Sequence, residues 1–432
     1  MRDRDFKVGL PYGKRVLELY TDIRQVSLIT SKPKPPLKDP RSNLIKSLES
    51  PIDSPPLSEL CKGVKRITVL IPDKTRAFPS KLVLPTVLRT IESSKSDVQV
   101  NVIIATGLHK PHTREEVLEL VGKDVYSNYE VISHDAEDEE SLIDTEKRTS
   151  YNTPVIVNEN VIKADLVVGL GLIEPHFFAG YSGGRKSVLP GVAGKRAIYV
   201  NHGFKMIGNP NSKYGVLEGN PIHEDMVEFM KLTKLDFIVN VTIGKEKRVT
   251  GVFCGNPVKA HLNGVRFLEE YVKVRVKGLA DVVITTNGGY PLDRNLYQAV
   301  KGMATGELVV KEGGVIIIVA ECVDGLGEHE EFYELFVGAE SPDEVLEKIR
   351  RLEPIKDQWE AQILARILKK AKVIVVSEMR QSIIEDMLMI PASTINEALD
   401  EALKLVRREE TDVRLTVIPE GPYVIPEIAN FC

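Results

Sequence analysis

The chain has 432 residues, 43% apolar and 28% charged, and its 57 basic and 62 acidic residues leave a net charge of −5. That length suggests two or three domains, each long enough to bury a core, and the charge gives no global reason to expect a nucleic acid or an acidic membrane as partner. The longest clean apolar run, Val315 to Ala320, is far too short to span a bilayer, and the N-terminal MRDRDFKVGL lacks the apolar stretch of a secretory signal. Four scattered cysteines (Cys61, Cys254, Cys322, Cys432) form no CxxC pair. A cytoplasmic protein is therefore expected, without a disulfide framework or a cysteine zinc site.

In chain order, Ser31 to Pro56 holds seven prolines and little apolar periodicity, and reads as a surface connector. A strand–loop–helix pattern follows. Strands are expected at Arg66–Ile71, Val98–Ala105, Tyr129–Ser133 and Ala164–Gly169, with helices at Leu82–Ile91 and Arg114–Val121. A long helical stretch is expected from Pro257 to Val276. A second series follows: Asp281–Thr286, Asn295–Met303, Gly314–Ala320, Lys372–Ser377 and Arg414–Ile418. This alternation predicts an α/β fold of two domains, with mostly parallel sheets flanked by helices. The predicted division is 1–255, a helical hinge at 256–278, and 279–432. In such sheets functional loops lie beyond the carboxyl ends of the strands, and the conspicuous polar clusters here follow strands.

The first cluster is Pro72-Asp73-Lys74-Thr75-Arg76. Asp73, Thr75 and Arg76 together suit a carboxylate, phosphate or ribose, and Arg76 can grip an oxyanion bidentately; the plain alternative is a turn with a capping aspartate. The second is Thr106-Gly107-Leu108-His109-Lys110-Pro111-His112. Its HxxH spacing suggests a metal pair, but Pro111 disfavours the helix that aligns such ligands, so a single catalytic histidine is the better reading. The third and strongest runs from Glu174 through His176, Gly183, Gly184, Arg185 and Lys186 to Ser187. Its glycines let backbone N–H groups approach a ligand closely. It differs from a Walker loop, because Arg185 stands where glycine should precede the lysine, and Pro190-Gly191 interrupts any following helix. Arg185, Lys186 and His176 are expected to converge. His202 in Asn201-His202 is a candidate metal ligand. Asn287 to Asp293, with Tyr297, Gln298 and Lys301 behind it, suits a carboxylate or hydroxyl ligand; Gln298 and Lys301 share a helix face. Trp359 is either core or pocket wall. His134, His223, His261 and His329 read as structural.

Together PDKTR (72–76), TGLH (106–109), EPHFFAGYSGGRKS (174–187), NH (201–202), TNGGYPLD (286–293), YQAVK (297–301) and DQW (357–359) resemble the nickel-dependent lactate racemase family over most of the chain. The resemblance implies an active site in an interdomain cleft. It implies a nickel-pincer nucleotide (pyridinium-3,5-bisthiocarboxylic acid mononucleotide nickel) joined to Lys186 as a thioamide, with Ni2+ held by His202. Cofactor contacts would come from Asp73, Thr75, Gly183 and Gly184. His109 and His176 would be the acid–base pair, and Arg76, Tyr297, Gln298, Lys301 and Trp359 would bind substrate. The implied activity is racemisation or epimerisation of lactate or a related 2-hydroxy acid through a 2-keto acid. The implied partners are that small acid and cofactor-biosynthesis proteins, with no nucleic acid and no membrane. Such chemistry needs a hydride acceptor that no side chain provides, and a base on either side of the substrate, one for each enantiomer. Two other readings stay open: a non-catalytic small-acid binding protein, and a phosphate-handling enzyme using the glycine-rich loop.

Overall fold

The computed structural model describes residues 6–94, 98–244, 246–407 and 412–429. They form two compact units. One comprises Pro33–His202 and Asn209–Tyr271; the other comprises the described residues up to Lys32, Gly203–Gly208, and those from Val272 onward. The N-terminal residues thus fall outside the first series, contrary to the expected division. The cause is backbone pairing: Gln25–Leu28 lies parallel to Arg414–Ile418.

The first unit is built on a six-stranded sheet in the order Val249–Gly255, Phe237–Ile243, Leu166–Leu172, Arg66–Pro72, Gln99–Ala105 and Glu130–Ser133. All neighbours are parallel except the first pair. The helix Ser80–Ser94 buries Val83, Leu84, Val87, Leu88 and Ile91, an apolar stripe of helical period. The helix Arg114–Val121 starts on a capping box, with Thr113 and Glu116 satisfying each other's backbone N–H groups. The second unit has six parallel strands in the order Ile390–Ala392, Lys372–Val376, Val310–Val319, Ala280–Thr286, Arg414–Ile418 and Gln25–Leu28. Its core gathers Val282, Ile284, Ile317, Ile374 and Val417. Among the described residues no helix is long and apolar enough to cross a membrane. Cys61, Cys254 and Cys322 are buried and free; Cys432 lies outside the described residues.

Two elements depart from expectation, and a third falls where none was stated. The stretch read as a connector contains the helix Pro40–Glu49, capped by the Asp39 side chain on the Ser42 N–H at 2.9 Å. Pro40 stands at its first position, where a missing N–H is harmless, so this proline starts a helix rather than breaking one. Second, the helix expected to reach Val276 ends at Val272. Lys273–Val276 (KVRV) alternates polar and apolar, and pairs as a strand with Ile425–Ile428. Third, Phe6–Tyr12 and Arg15–Thr21 form a hairpin whose turn uses Gly13 at φ 55°.

Leu44 and Leu48, one turn apart on the new helix, are each 1% exposed and join the first unit's core. Leu44→Ala is expected to lower unfolding free energy by about 2–4 kcal/mol in urea titrations. Replacing the exposed Ile45 by Ala should change it by less than about 1 kcal/mol.

Candidate active site

The strands Arg66–Pro72 and Gln99–Ala105 pair residue for residue, with Pro72 opposite Ala105. Their loops therefore leave the sheet side by side. Asp73 and His109 meet there, His109 Nδ1 lying 2.6 Å from Asp73 Oδ2. Asp73 is 3% exposed and also accepts the Thr75 hydroxyl at 2.6 Å and the Thr75 N–H at 3.2 Å. Burial alone would raise its carboxyl. The hydrogen bond and charge of His109, the Arg76 charge and the Thr75 hydroxyl outweigh burial and hold it at about 2. The carboxylate orients the His109 ring through Nδ1. His112 does not join His109 as a metal pair. Its Nε2 accepts the Lys74 N–H at 3.2 Å, which braces the Asp73 loop. Among the described residues no group of three or more His, Cys, Asp or Glu is arranged to hold a metal.

The glycine-rich segment follows the next strand, Leu166–Leu172. Pro175-His176 pairs back onto Gly180-Tyr181. Gly180 makes this turn at φ 77°, where a Cβ would lie 2.2 Å from the Val216 carbonyl oxygen. His176, 7% exposed, accepts the Ala179 N–H at Nδ1 (3.3 Å) and places Nε2 3.0 Å from Lys186 Nζ. The Phe178 ring is the shared wall of this cluster. It meets His176 edge-on at 4.5 Å and His202 edge-on at 5.0 Å, and lies 5.4 Å from Lys186 Nζ. Arg185 does not converge with them. It is buried, donates to the Ala179 and Gly183 carbonyls at 2.8 and 3.3 Å, and burial lowers it to about 9. Lys186 sits in a single 3-10 turn, Gly184–Ser187, so the long helix that a phosphate loop requires does not follow it.

His202 caps the end of the helix Lys195–Asn201 and is 5% exposed. Burial pushes its imidazole down to about 3, and charge on Lys186 acts in the same direction. The helix end is anchored by Asn201, which donates to the buried Asp225 at 2.7 Å. The loops are tied together: Gly107 N–H donates to the Gly191 carbonyl at 3.0 Å, and Arg76 lies 3.5 Å from Glu174.

In the second unit, the glycines of Asn287–Asp293 adopt φ 81° and 74° at positions 288 and 289. On the helix Leu296–Glu307, Lys301 donates to Gln298 at 2.5 Å. Trp359 is 8% exposed and donates through Nε1 to the Tyr297 hydroxyl at 3.1 Å. His329 lies beside this group: its ring stacks on Tyr297, and its Nδ1 lies 2.7 Å from Asp357. Its neighbours GEHEE gave no signal; only Asp357, inside the DQW motif, pointed here. His134 and His261 are each buried against a backbone carbonyl. Phe178 lay inside a recognised motif, but its role as a common wall is visible only in three dimensions.

The geometry defines a two-unit α/β protein whose polar side chains gather beyond strand ends. Residues 12–215 match the Lactate racemase N-terminal domain family and residues 276–426 the Lactate racemase C-terminal domain family. The chain is 42% identical over 427 residues to a lactate racemase of Thermoanaerobacterium thermosaccharolyticum, covering 97% of this chain and 98% of that one. It is 40% identical over 430 residues to a lactate racemase of Lactiplantibacillus plantarum, covering 97% and 99%. The solved lactate racemase apoprotein from Thermoanaerobacterium thermosaccharolyticum superposes with a TM-score of 0.93 at 40% identity, over 98% of this chain and all of that one. A Thermotoga maritima structure, 16% identical with a TM-score of 0.68 over 93% of this chain and 100% of that one, shares the fold. The chain belongs to the lactate racemase family and is an isomerase.

Folding lowers Asp73 from the ordinary 3.8 to about 2. Its ionised form therefore stabilises the protein fully above about pH 4, and that contribution disappears as pH falls through about 2. Asp73→Asn should cost on the order of 1–2 kcal/mol at pH 7, with the gap from wild type closing between about pH 4 and 2 in urea unfolding.

Proposed function

We propose that the chain racemises a 2-hydroxy acid, with lactate the first candidate because its full-length relatives are lactate racemases. The observation that carries this is the His176–Lys186 contact at 3.0 Å. His176 Nε2, which faces the Lys186 amine, would take its ammonium proton. An uncharged amine is the nucleophile needed to form a thioamide.

The residues fit the nickel-pincer nucleotide. Lys186 is the attachment point, and His202, kept neutral by burial, offers the ligating form of imidazole to nickel. One protein ligand suffices where the remaining donors come with the cofactor. Gly183 and Gly184, with Asp73 and Thr75, would border it. When bound, this group supplies the hydride acceptor that side chains lack.

The side chains do the rest. His109, oriented by Asp73, takes the hydroxyl proton of one enantiomer at Nε2, and His176 serves the mirror enantiomer. Arg76 holds the substrate carboxylate while the C2 centre becomes planar as a 2-keto acid. Tyr297, Gln298, Lys301 and Trp359 complete substrate binding. Proteins that build and deliver the cofactor are the expected partners.

A screen of enantiopure 2-hydroxy acids with cofactor-loaded protein tests this by polarimetry or chiral chromatography. Lys186→Ala should remove both the covalent mass adduct and racemisation; activity retained without the adduct overturns the reading. His109→Ala and His176→Ala should each slow turnover by about 10²–10⁴-fold while leaving the adduct at Lys186 detectable for His109→Ala. His202→Ala should lose nickel, measured by metal analysis.

A further inference from the structure

The second unit contains another imidazole held by a buried carboxylate. The His329 ring lies flat on Tyr297, with centroids 3.6 Å apart and planes within 4°. Aromatic pairs prefer offset or edge-on contacts at longer separations, so this approach requires a tether. Asp357 provides it: Oδ2 lies 2.7 Å from His329 Nδ1, and the residue is 2% exposed.

Asp357 forgoes two local preferences to do so. It stands at the N-cap of the helix Gln358–Lys370 but makes no side-chain cap bond, although aspartate is a favoured cap. It also adopts φ 63°, a left-handed conformation that disfavours residues with a Cβ. Conflicts of this kind collect at functional sites.

Tyr297 is immobilised as a result. His329 covers one face, Phe332 meets the ring edge-on at 5.6 Å, and Trp359 donates to the hydroxyl. Burial, followed by the charges of Asp357 and Glu360, keeps the phenol well above its ordinary range and therefore neutral. The stack fixes the plane of the ring, while Trp359 and Asp357 hold its hydroxyl.

We propose that His329 is a positioning residue for the 2-hydroxy acid, acting through Tyr297 with Asp357 as its anchor. This rests on the reading of Tyr297 and Trp359 as substrate-binding residues. His329 fixes where the phenol oxygen stands, so its loss weakens substrate binding more than turnover.

The test uses cofactor-loaded full-length protein and two complementary variants. His329→Phe keeps an aromatic plate on Tyr297 but loses the bond to Asp357, and His329→Gln keeps a bond to Asp357 but loses the plate. Both should raise KM for racemisation about tenfold with kcat within about threefold of wild type, and with the Lys186 mass adduct unchanged. Trp359 is the only tryptophan in the chain, so its emission during lactate titration of the protein without cofactor reads binding without turnover, and the apparent affinity should fall by the same factor. Unchanged KM and unchanged affinity in either folded variant overturn the proposal, even if thermal stability drops, because the stack would then be structural only. Tyr297→Phe separates the two levels of the argument. If it raises KM while the His329 variants do not, the positioning role alone fails. If Tyr297→Phe leaves KM and affinity unchanged and Trp359→Phe leaves KM unchanged, the underlying substrate-binding reading fails.

Discussion

In a parallel sheet every strand ends at the same edge, and this constraint governs how the first unit assembles its chemistry. Arg66–Pro72, Gln99–Ala105 and Leu166–Leu172 run in one direction, so the loops after them emerge together. Asp73, His109 and the His176–Lys186 segment are far apart in sequence, yet each follows one of these strands. The loops are then fastened by short polar ties, Gly107 to Gly191 and Arg76 to Glu174. Shifting the pairing by one residue would turn alternate side chains to the other face and misplace the loops that carry them.

Burial then assigns the charge state of each group. Asp73 is buried but surrounded by donors, and stays ionised. For His202 burial prevails, and it stays neutral. Desolvation opposes charge in both cases, and the neighbours decide whether it prevails. The same rule separates Arg185 from Lys186. The guanidinium turns inward to backbone carbonyls, whereas the amine faces His176. Adjacent basic residues thus face different ways, one into the loop and the other toward His176. His109 and His329 form a similar contrast: both are held through Nδ1 by a buried aspartate. The first ring stands in a loop beyond a strand end, while the second is pressed against a phenol.

Much of this was legible in the sequence. Apolar runs located the strands at the centre of each sheet, because buried parallel strands are nearly continuous in Val, Ile and Leu. Polar residues just after those runs picked out Asp73, His109, His176 and Lys186. Their separated motifs, taken in order, pointed to the family that the full-length relatives establish. Less was legible where local signals conflict. Pro40 starts a helix inside a proline-rich stretch, and Lys273–Val276 changes from helical to alternating period within four residues.

The sequence alone determined the residue types available for chemistry and the α/β alternation that places them at strand ends, since both depend on local pattern and side-chain identity. Tertiary structure alone decided which of those residues meet. It turned Arg185 away, made Phe178 the wall common to His176 and His202, sent the N-terminal strand to the second sheet, and brought His329 onto Tyr297. Those outcomes depend on strand register, burial and contacts between residues distant in the chain, which no local pattern encodes.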